Sequence, residues 1–548
     1  MSFRQIKAYI KRNLNGWWIV SILGAAVILL PILFVFLSIF ETPSEHWAHI
    51  KEYLVKDYVI ETLTLTFITA ITTTLLGVSL AWFVTVFDFP GRKILRWALV
   101  LPLAVPPYIG AYTYSTMFSY TGVVQVTLRN WGFHPSQDWI SLTSMRGAVV
   151  VFTLFLYPYV YLVTRSFLER QSASYIENAR LLGRNGMSIF FWVAMPICRP
   201  AIVGGLSLVV FEVLSDYGVT QYFGLQTVTT AIFKTWFGMY DVNSAMRLAA
   251  WLMVILAGFF LIERVLRRHR KYSASTSKSK PLQPIKLGSV KGTAVLLFGM
   301  VVLAAAFAVP ILQLIVWATW TYQDVWNDQF MFFIGRTLYT AAVSTVIIML
   351  LSLIVGSATR SRSWGSALLS RTVIAGYSIP GAIIAIGVLG VFLSLDQVYG
   401  EVYRLLGGKG TPVVLSLTAA MLIFGYVIRF MATGYNAVEV GFEKTGTRYS
   451  EASRLLGRSR LYTFWRVDLP LIKGAVLSGC ILTFVEICKE LPLALLLRPF
   501  DFETLSTRTY QYANNEQIHE AAIPSLLIIG ISFISVYVLH YLDKRWET

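Results

Sequence analysis

Apolar runs long enough to cross a membrane alternate with short polar stretches along the whole chain. They fall near residues 17–40, 58–86, 97–120, 147–165, 199–223 and 244–263, then again near 293–318, 336–358, 372–395, 412–433, 474–497 and 521–541. Runs of roughly 18 or more apolar residues read as helical spans, and Gly or Pro inside them does not end them. The pattern predicts an all-α polytopic membrane protein of 12 transmembrane helices, six plus six, with both termini cytoplasmic. Because six is even, two tandem halves share one orientation and are related by a pseudo-two-fold along the membrane normal. Residues 1–263 form the first half and 293–548 the second. The stretch 264–292 is basic, Ser- and Pro-containing and free of acidic residues, which predicts a flexible cytoplasmic linker lying against anionic headgroups.

The polar loops repeat too. Glu177-Asn178-Ala179-Arg180-Leu181-Leu182-Gly183-Arg184, with Pro196 thirteen residues after its glycine, recurs 274 residues later as Glu451-Ala452-Ser453-Arg454-Leu455-Leu456-Gly457-Arg458, with Pro470 at the same spacing. Pro106 and Pro380, Glu212 and Glu486, and Asp216 and Glu490 keep that offset. Each loop, about 166–196 and 434–470, reads as a helix, a turn and a second helix. The arginines four apart share a face, and the leucine pair makes an apolar ridge. Gly183 and Gly457 suit a left-handed closing position, and Pro196 and Pro470 suit the first turn of the next helix. One such loop alone is equally well an amphipathic segment on headgroups. Two matched copies point to a soluble partner with two equivalent grooves.

Composition narrows the class. Hydrophobic residues make up 56% of the 548 and charged ones 14%. The net charge of +17 gathers in the tail before Trp17, the 264–292 connector and the 429–473 stretch, which is the positive-inside distribution rather than a nucleic-acid footprint. The first apolar run is too long for a signal peptide and predicts a retained span. Trp17-Trp18 and the pair Trp317 and Trp320 read as interfacial anchors. Cys198, Cys480 and Cys488 show no metal or redox spacing and read as small core residues. His46 and His49 lack a third ligand nearby in sequence and read as surface residues, and His134 and His519 are isolated. The nearest approach to a phosphate loop, Gly407-Gly408-Lys409-Gly410-Thr411, lacks the required spacing. No catalytic residues and no cofactor are therefore expected in this chain.

The fifth span of each half carries two acids, Glu212 and Asp216, then Glu486 and Glu490. Four residues apart, the members of a pair share a helix face. Charge at that depth is costly against lipid, so the acids should face the interior. Two readings stand. The pairs meet across the two-fold and line a cation's route, with Glu212 and Glu486 as its transient metal ligands. Alternatively they are interhelical glue, which Lys489, beside Glu490 and three residues from Glu486, favours as an ion-pair partner.

The loop pattern, Glu-x-Ala-x-x-x-Gly followed after nine residues by aliphatic-x-aliphatic-Pro, resembles the EAA loop of ABC importer permeases. It runs through Glu177, Ala179, Gly183, Val193, Met195 and Pro196, then through Glu451, Ala452, Gly457, Val467, Leu469 and Pro470, departing at Asn178 and Ser453. The resemblance implies a type I ABC importer-like fold and a coupling helix in each loop. It also implies two copies of an ABC ATPase subunit, which hold ATP and Mg and drive alternating access. The runs 216–224, 233–241, 489–500 and 507–510 are similar to permeases of ferric-ion importers, and the likeness covers essentially the whole chain, fused halves included. That implies iron(III) delivered by a periplasmic or lipid-anchored iron-binding protein to a multi-pass permease of the bacterial cytoplasmic (inner) membrane. Membrane lipid is then a partner, nucleic acid is not, and no homodimer is required. Thiamine-type permeases share the layout, and an ion-gradient-driven secondary transporter is the rival that intramembrane acids also suit.

Overall fold

The computed structural model describes residues 16–40, 42–134, 136, 141–170, 174–268, 283–360, 364–376, 379–406 and 413–547. The basic N-terminal tail, most of the linker and the run 407–411 lie outside them. Ten helices among the described residues are long and apolar enough to cross a bilayer. An eleventh crossing is the pair Arg92–Ala104 and Pro107–Asn130, bent by 91°, and Ala522–Val538 is a shorter apolar helix. Twelve crossings, as the hydropathy predicts, account for these elements.

The principal helices of the first half are α1 (Gly16–Leu37), α2 (Val55–Val86), α3 (Pro107–Phe118), α4 (Met145–Arg170), α5 (Ser174–Leu181), α6 (Met195–Ser215), α7 (Val228–Met239) and α8 (Val242–Arg268). Those of the second are α9 (Ser289–Leu303), α10 (Val309–Val325), α11 (Asp328–Thr359), α12 (Gly381–Leu405), α13 (Ala419–Thr445), α14 (Arg448–Leu455), α15 (Leu469–Lys489), α16 (Leu505–Asn514) and α17 (Ala522–Glu547). Helices α4 and α13, α5 and α14, and α6 and α15 begin at positions 274 apart, so the sequence repeat is a repeat of backbone. Beyond α6 the register slips by three residues, because Thr227 and Thr504 build the same capping box ahead of α7 and α16.

In each half three helices form the packed centre: α2, α4 and α6, then α11, α13 and α15. Small residues allow the close approach, as membrane packing without a hydrophobic drive requires. A Cβ at Gly205 of α6 would lie 2.8 Å from Val160 of α4, and one at Gly479 of α15 would lie 2.9 Å from Ala437 of α13.

The first helix of each half crosses to the other. Helix α1 packs on α11 and α12, where a Cβ on Gly387 would sit 2.5 Å from the Pro31 carbonyl oxygen. Reciprocally, α9 packs on the Arg92–Ala98 helix, with Gly299 against Leu95, and α10 meets α3. Division by sequence and division by packing therefore differ at one helix in each half.

Several expected boundaries shift for physical reasons. The spans read at 97–120 and 372–395 break at prolines: α3 and α12 start directly after Pro106 and Pro380. The spans read at 199–223 and 474–497 stop at Ser215 and Lys489 and resume as short helices, Gly218–Tyr222 and Pro492–Leu497. Pro196 and Pro470 lie in helix that begins earlier, at Gly186 and Arg460, under side-chain caps from Asn185 and Ser459. A single wide π turn precedes each proline, Phe190–Ala194 and Phe464–Asp468, and a third, Ala304–Ala308, precedes Pro310. Proline removes a donor and crowds the carbonyl four residues back; widening the turn accommodates both.

The linker is shorter than its composition suggests, since α8 runs to Arg268 and α9 begins at Ser289. Its end, Ile285–Lys286, pairs in parallel with Phe87–Asp88, a two-residue exception to the all-α expectation. Trp317 is buried, its ring 5.4 Å from that of His519, which also meets the exposed Trp320. Trp17 packs 5.2 Å from Phe464 in the second loop, which puts the start of α1 on the loop side.

Candidate functional site

All four acids reach one cavity of about 90 Å³ between the halves. Glu212 and Glu486 project from the last turn of α6 and α15. Asp216 and Glu490 do not share their helix face, because each is the first extended residue after the helix (ψ 132° and 126°). From there each carboxylate turns to the next short helix. Asp216 Oδ1 accepts from the Val219 amide at 2.8 Å, and Glu490 Oε1 from the Leu493 amide at 3.3 Å. Each satisfies an orphan donor at a helix start.

Two cations line the same cavity, and both belong to the second half. Lys489 Nζ lies 2.8 Å from Glu486 Oε1, the ion pair that one sequence reading anticipated. Arg429 was missed: counted with the loop cations, it lies instead inside α13, its Nε 3.3 Å from Glu490 Oε2 while Nη1 donates to the Ile379 carbonyl at 2.8 Å. A lone arginine within an apolar run was the available signal, since such residues face a bundle interior. Their first-half counterparts at the same offset are Phe155 and Ser215, so the two-fold is broken electrostatically at its centre. Glu212 is the least tied of the acids among the described residues, accepting from the Tyr159 hydroxyl at 3.4 Å. Among the described residues no three His, Cys, Asp or Glu side chains group as a metal site. The cavity is a constriction lined by charges of both signs.

Toward the loop side, α5 and α14 each end in a Schellman turn. Gly183 (φ 73°) and Gly457 (φ 78°) take the left-handed position, and the amides of Arg184 and Arg458 donate back to the carbonyls of Ala179 and Ser453 at 3.1 and 3.2 Å. The ridges stand free in solvent: Leu181 and Leu182 are 86% and 82% exposed, Leu455 and Leu456 88% and 81%. Glu177, Glu451, Pro196 and Pro470 are exposed as well. Ala179 is buried, but Ala452 is exposed; the residue in Ala179's place is Ser453. The two loops thus expose matching leucine pairs.

Comparison with known proteins matches two stretches, residues 73–268 and 348–548, to the family described as the binding-protein-dependent transport system inner membrane component. The chain belongs to that family. This permease thus holds the family unit twice, once per half, and it is a multi-pass membrane protein. It is 23% identical over 473 residues to the Fe(3+)-transport system permease protein FbpB 2 of Haemophilus influenzae, 85% of each chain being covered. It is also 23% identical over 513 residues to the putative ferric transport system permease protein FbpB 1 of the same organism, covering 88% of this chain and 77% of that one. A shorter likeness, 27% over 180 residues, joins 32% of the permease to 63% of the sulfate transport system permease protein CysT of Escherichia coli. Both Haemophilus relatives carry the name of a permease protein of a transport system.

Proposed function

We propose that the permease imports ferric iron delivered by an extracytoplasmic binding protein, and that two copies of one ATPase subunit, carrying ATP and Mg, drive it through the α5 and α14 loops. The observation that carries the coupling reading is the matched outward faces: the same leucine pairs, arginines and left-handed glycines, in the same backbone, presented twice. One partner surface fits both. Family membership supports the importer class over an ion-gradient-driven transporter. For the cargo, support comes from the ferric relatives, which align with both halves, and from Glu212, a carboxylate in the cavity with little else to hold it. Closure of the ATPase pair would press both loops and rock the halves about the charged constriction, with both termini on the ATPase side.

Arg429 and Lys489 favour one second reading, an oxyanion cargo, for which the sulfate relative is a precedent. Purification with neighbouring subunits, followed by metal and anion analysis of the captured binding protein, separates the two. Iron in the binding protein and an ATPase at two per permease support the proposal; a stoichiometric oxyanion without iron replaces the cargo, and transport with no ATPase attached overturns the mechanism.

A further inference from the structure

The two coupling loops offer alike faces to a partner but have unlike backs. Behind α5, the buried side chains Val86, Ile176, Ala179, Ile189 and Ala194 form one apolar cluster. At the five positions 274 further on stand Arg360, Ser450, Ser453, Thr463 and Asp468. Four of these are buried, and the Arg360 side chain is 15% exposed. Five of the six buried positions of that cluster are thus polar in the second loop; the sixth, Trp82, corresponds to Gly356, and Phe464 of the second loop still packs with Val438, Phe442 and Ile472. Arg360 Nη1 lies 3.0 Å from Asp468 Oδ1, while its Nη2 donates to the Gly446 carbonyl at 2.6 Å. Its guanidinium lies 4.5 Å over the Phe442 ring. The Ser450 hydroxyl also bonds Asp468 Oδ1, and Ser453 and Thr463 share a hydrogen bond of 2.9 Å. Arg360 thereby joins the end of α11 to the end of α13 and to the π turn ahead of α15, with α14 bonded into the same network.

Apolar packing is non-directional and lets one surface slide on another. A buried, hydrogen-bonded ion pair has one good geometry, and losing either partner leaves an uncompensated charge. We propose that Arg360 and Asp468 are positioning residues that lock the second coupling loop to the transmembrane frame, so that the two loops transmit one partner's motion unequally. The first loop rides on its apolar bed, and the second moves as part of α11, α13 and α15. The inference rests on the reading that both loops dock on ATPase subunits.

The test brings the second loop's back toward the first's at four of these positions, by Arg360→Val, Ser450→Ile, Ser453→Ala and Asp468→Ala together, with Thr463 keeping its 3.0 Å hydrogen bond to the Ser459 carbonyl. Apolar exchange of a whole buried pair is generally tolerated. In the full complex carrying Ser215→Cys, the readout is the ratio of maleimide labelling in the central cavity between nucleotide-free and ATP–vanadate-trapped states. The exchanged permease is expected to keep its ATPase subunits while that ratio falls by about five-fold or more. A ratio equal to that of the unexchanged loop overturns the inference. Should the fourfold exchange fail to assemble, Arg360→Lys decides: it keeps the charge but cannot reach Asp468 and Gly446 together, and an unaltered ratio again overturns the lock. Absence of any ATPase from the wild-type complex sinks the docking reading and this inference with it; an ATPase that stays bound while the ratio holds sinks this inference alone.

Discussion

Glu212 and Glu490 are both carboxylates in one cavity, yet their partners give them different work. Glu490 is 8% exposed, pairs with Arg429 and accepts from the Leu493 amide. Removing its charge takes away one half of a buried ion pair, and breaking such a pair costs about 3–5 kcal/mol. Glu490→Gln is therefore expected to lower the thermal midpoint of the purified permease clearly. Glu212 has the Tyr159 hydroxyl at 3.4 Å and faces open cavity. Glu212→Gln combined with Glu486→Gln is expected to abolish iron uptake while assembly and ATP hydrolysis persist; undiminished uptake would return these acids to a structural role. Legibility ends at this scale for a definite reason. The four acids and Lys489 were visible as charges in apolar runs, but their directions were not. Spacing of four implies a shared face only while the helix lasts, and the helix stops one residue before Asp216 and Glu490.

Between residue and whole, each repeated loop is a unit whose first helix is closed by one glycine. Gly183 and Gly457 hold φ near +75° with nothing within 4 Å of a built Cβ, so the constraint there is backbone conformation and not space. A β-branched residue in that region costs roughly 1–2 kcal/mol. Gly183→Val and Gly457→Val are expected to insert normally and to uncouple ATP hydrolysis from uptake, measured as cargo moved per ATP. Unchanged stoichiometry in both would remove the coupling role. The helix-turn-helix was readable because the left-handed glycine is a local signal. The π turn was not, since Pro196 and Pro470 look alike at the start of a helix or just past a widened turn. Nor was the contrast between the loops' backs readable, because Val86 and Arg360 lie far along the chain from the loops they support.

For the whole molecule, the count of crossings and the two-fold relation followed from hydropathy and the 274-residue repeat, because both are periodic along the chain. Which helix packs on which half left no such trace. The crossing of α1 onto α12 depends on Gly387 and Gly390 meeting Pro31 and Phe34. Gly387→Leu is expected to cut the yield of monodisperse permease several-fold, whereas Gly258→Ala, where a Cβ meets nothing within 4 Å, leaves it unchanged. Equal yields in size-exclusion chromatography would show that α1 is dispensable to the bundle.

That exchange of opening helices changes what the linker has to accomplish. Each lobe is completed by a piece of its sibling, so a lobe made alone would carry an unclaimed groove in the bilayer and have no finished shape to adopt. Joining the two in one polypeptide then acts less as a hinge than as a guarantee of parity: every lobe is born with its complement attached, and neither must find the other by diffusion in the membrane.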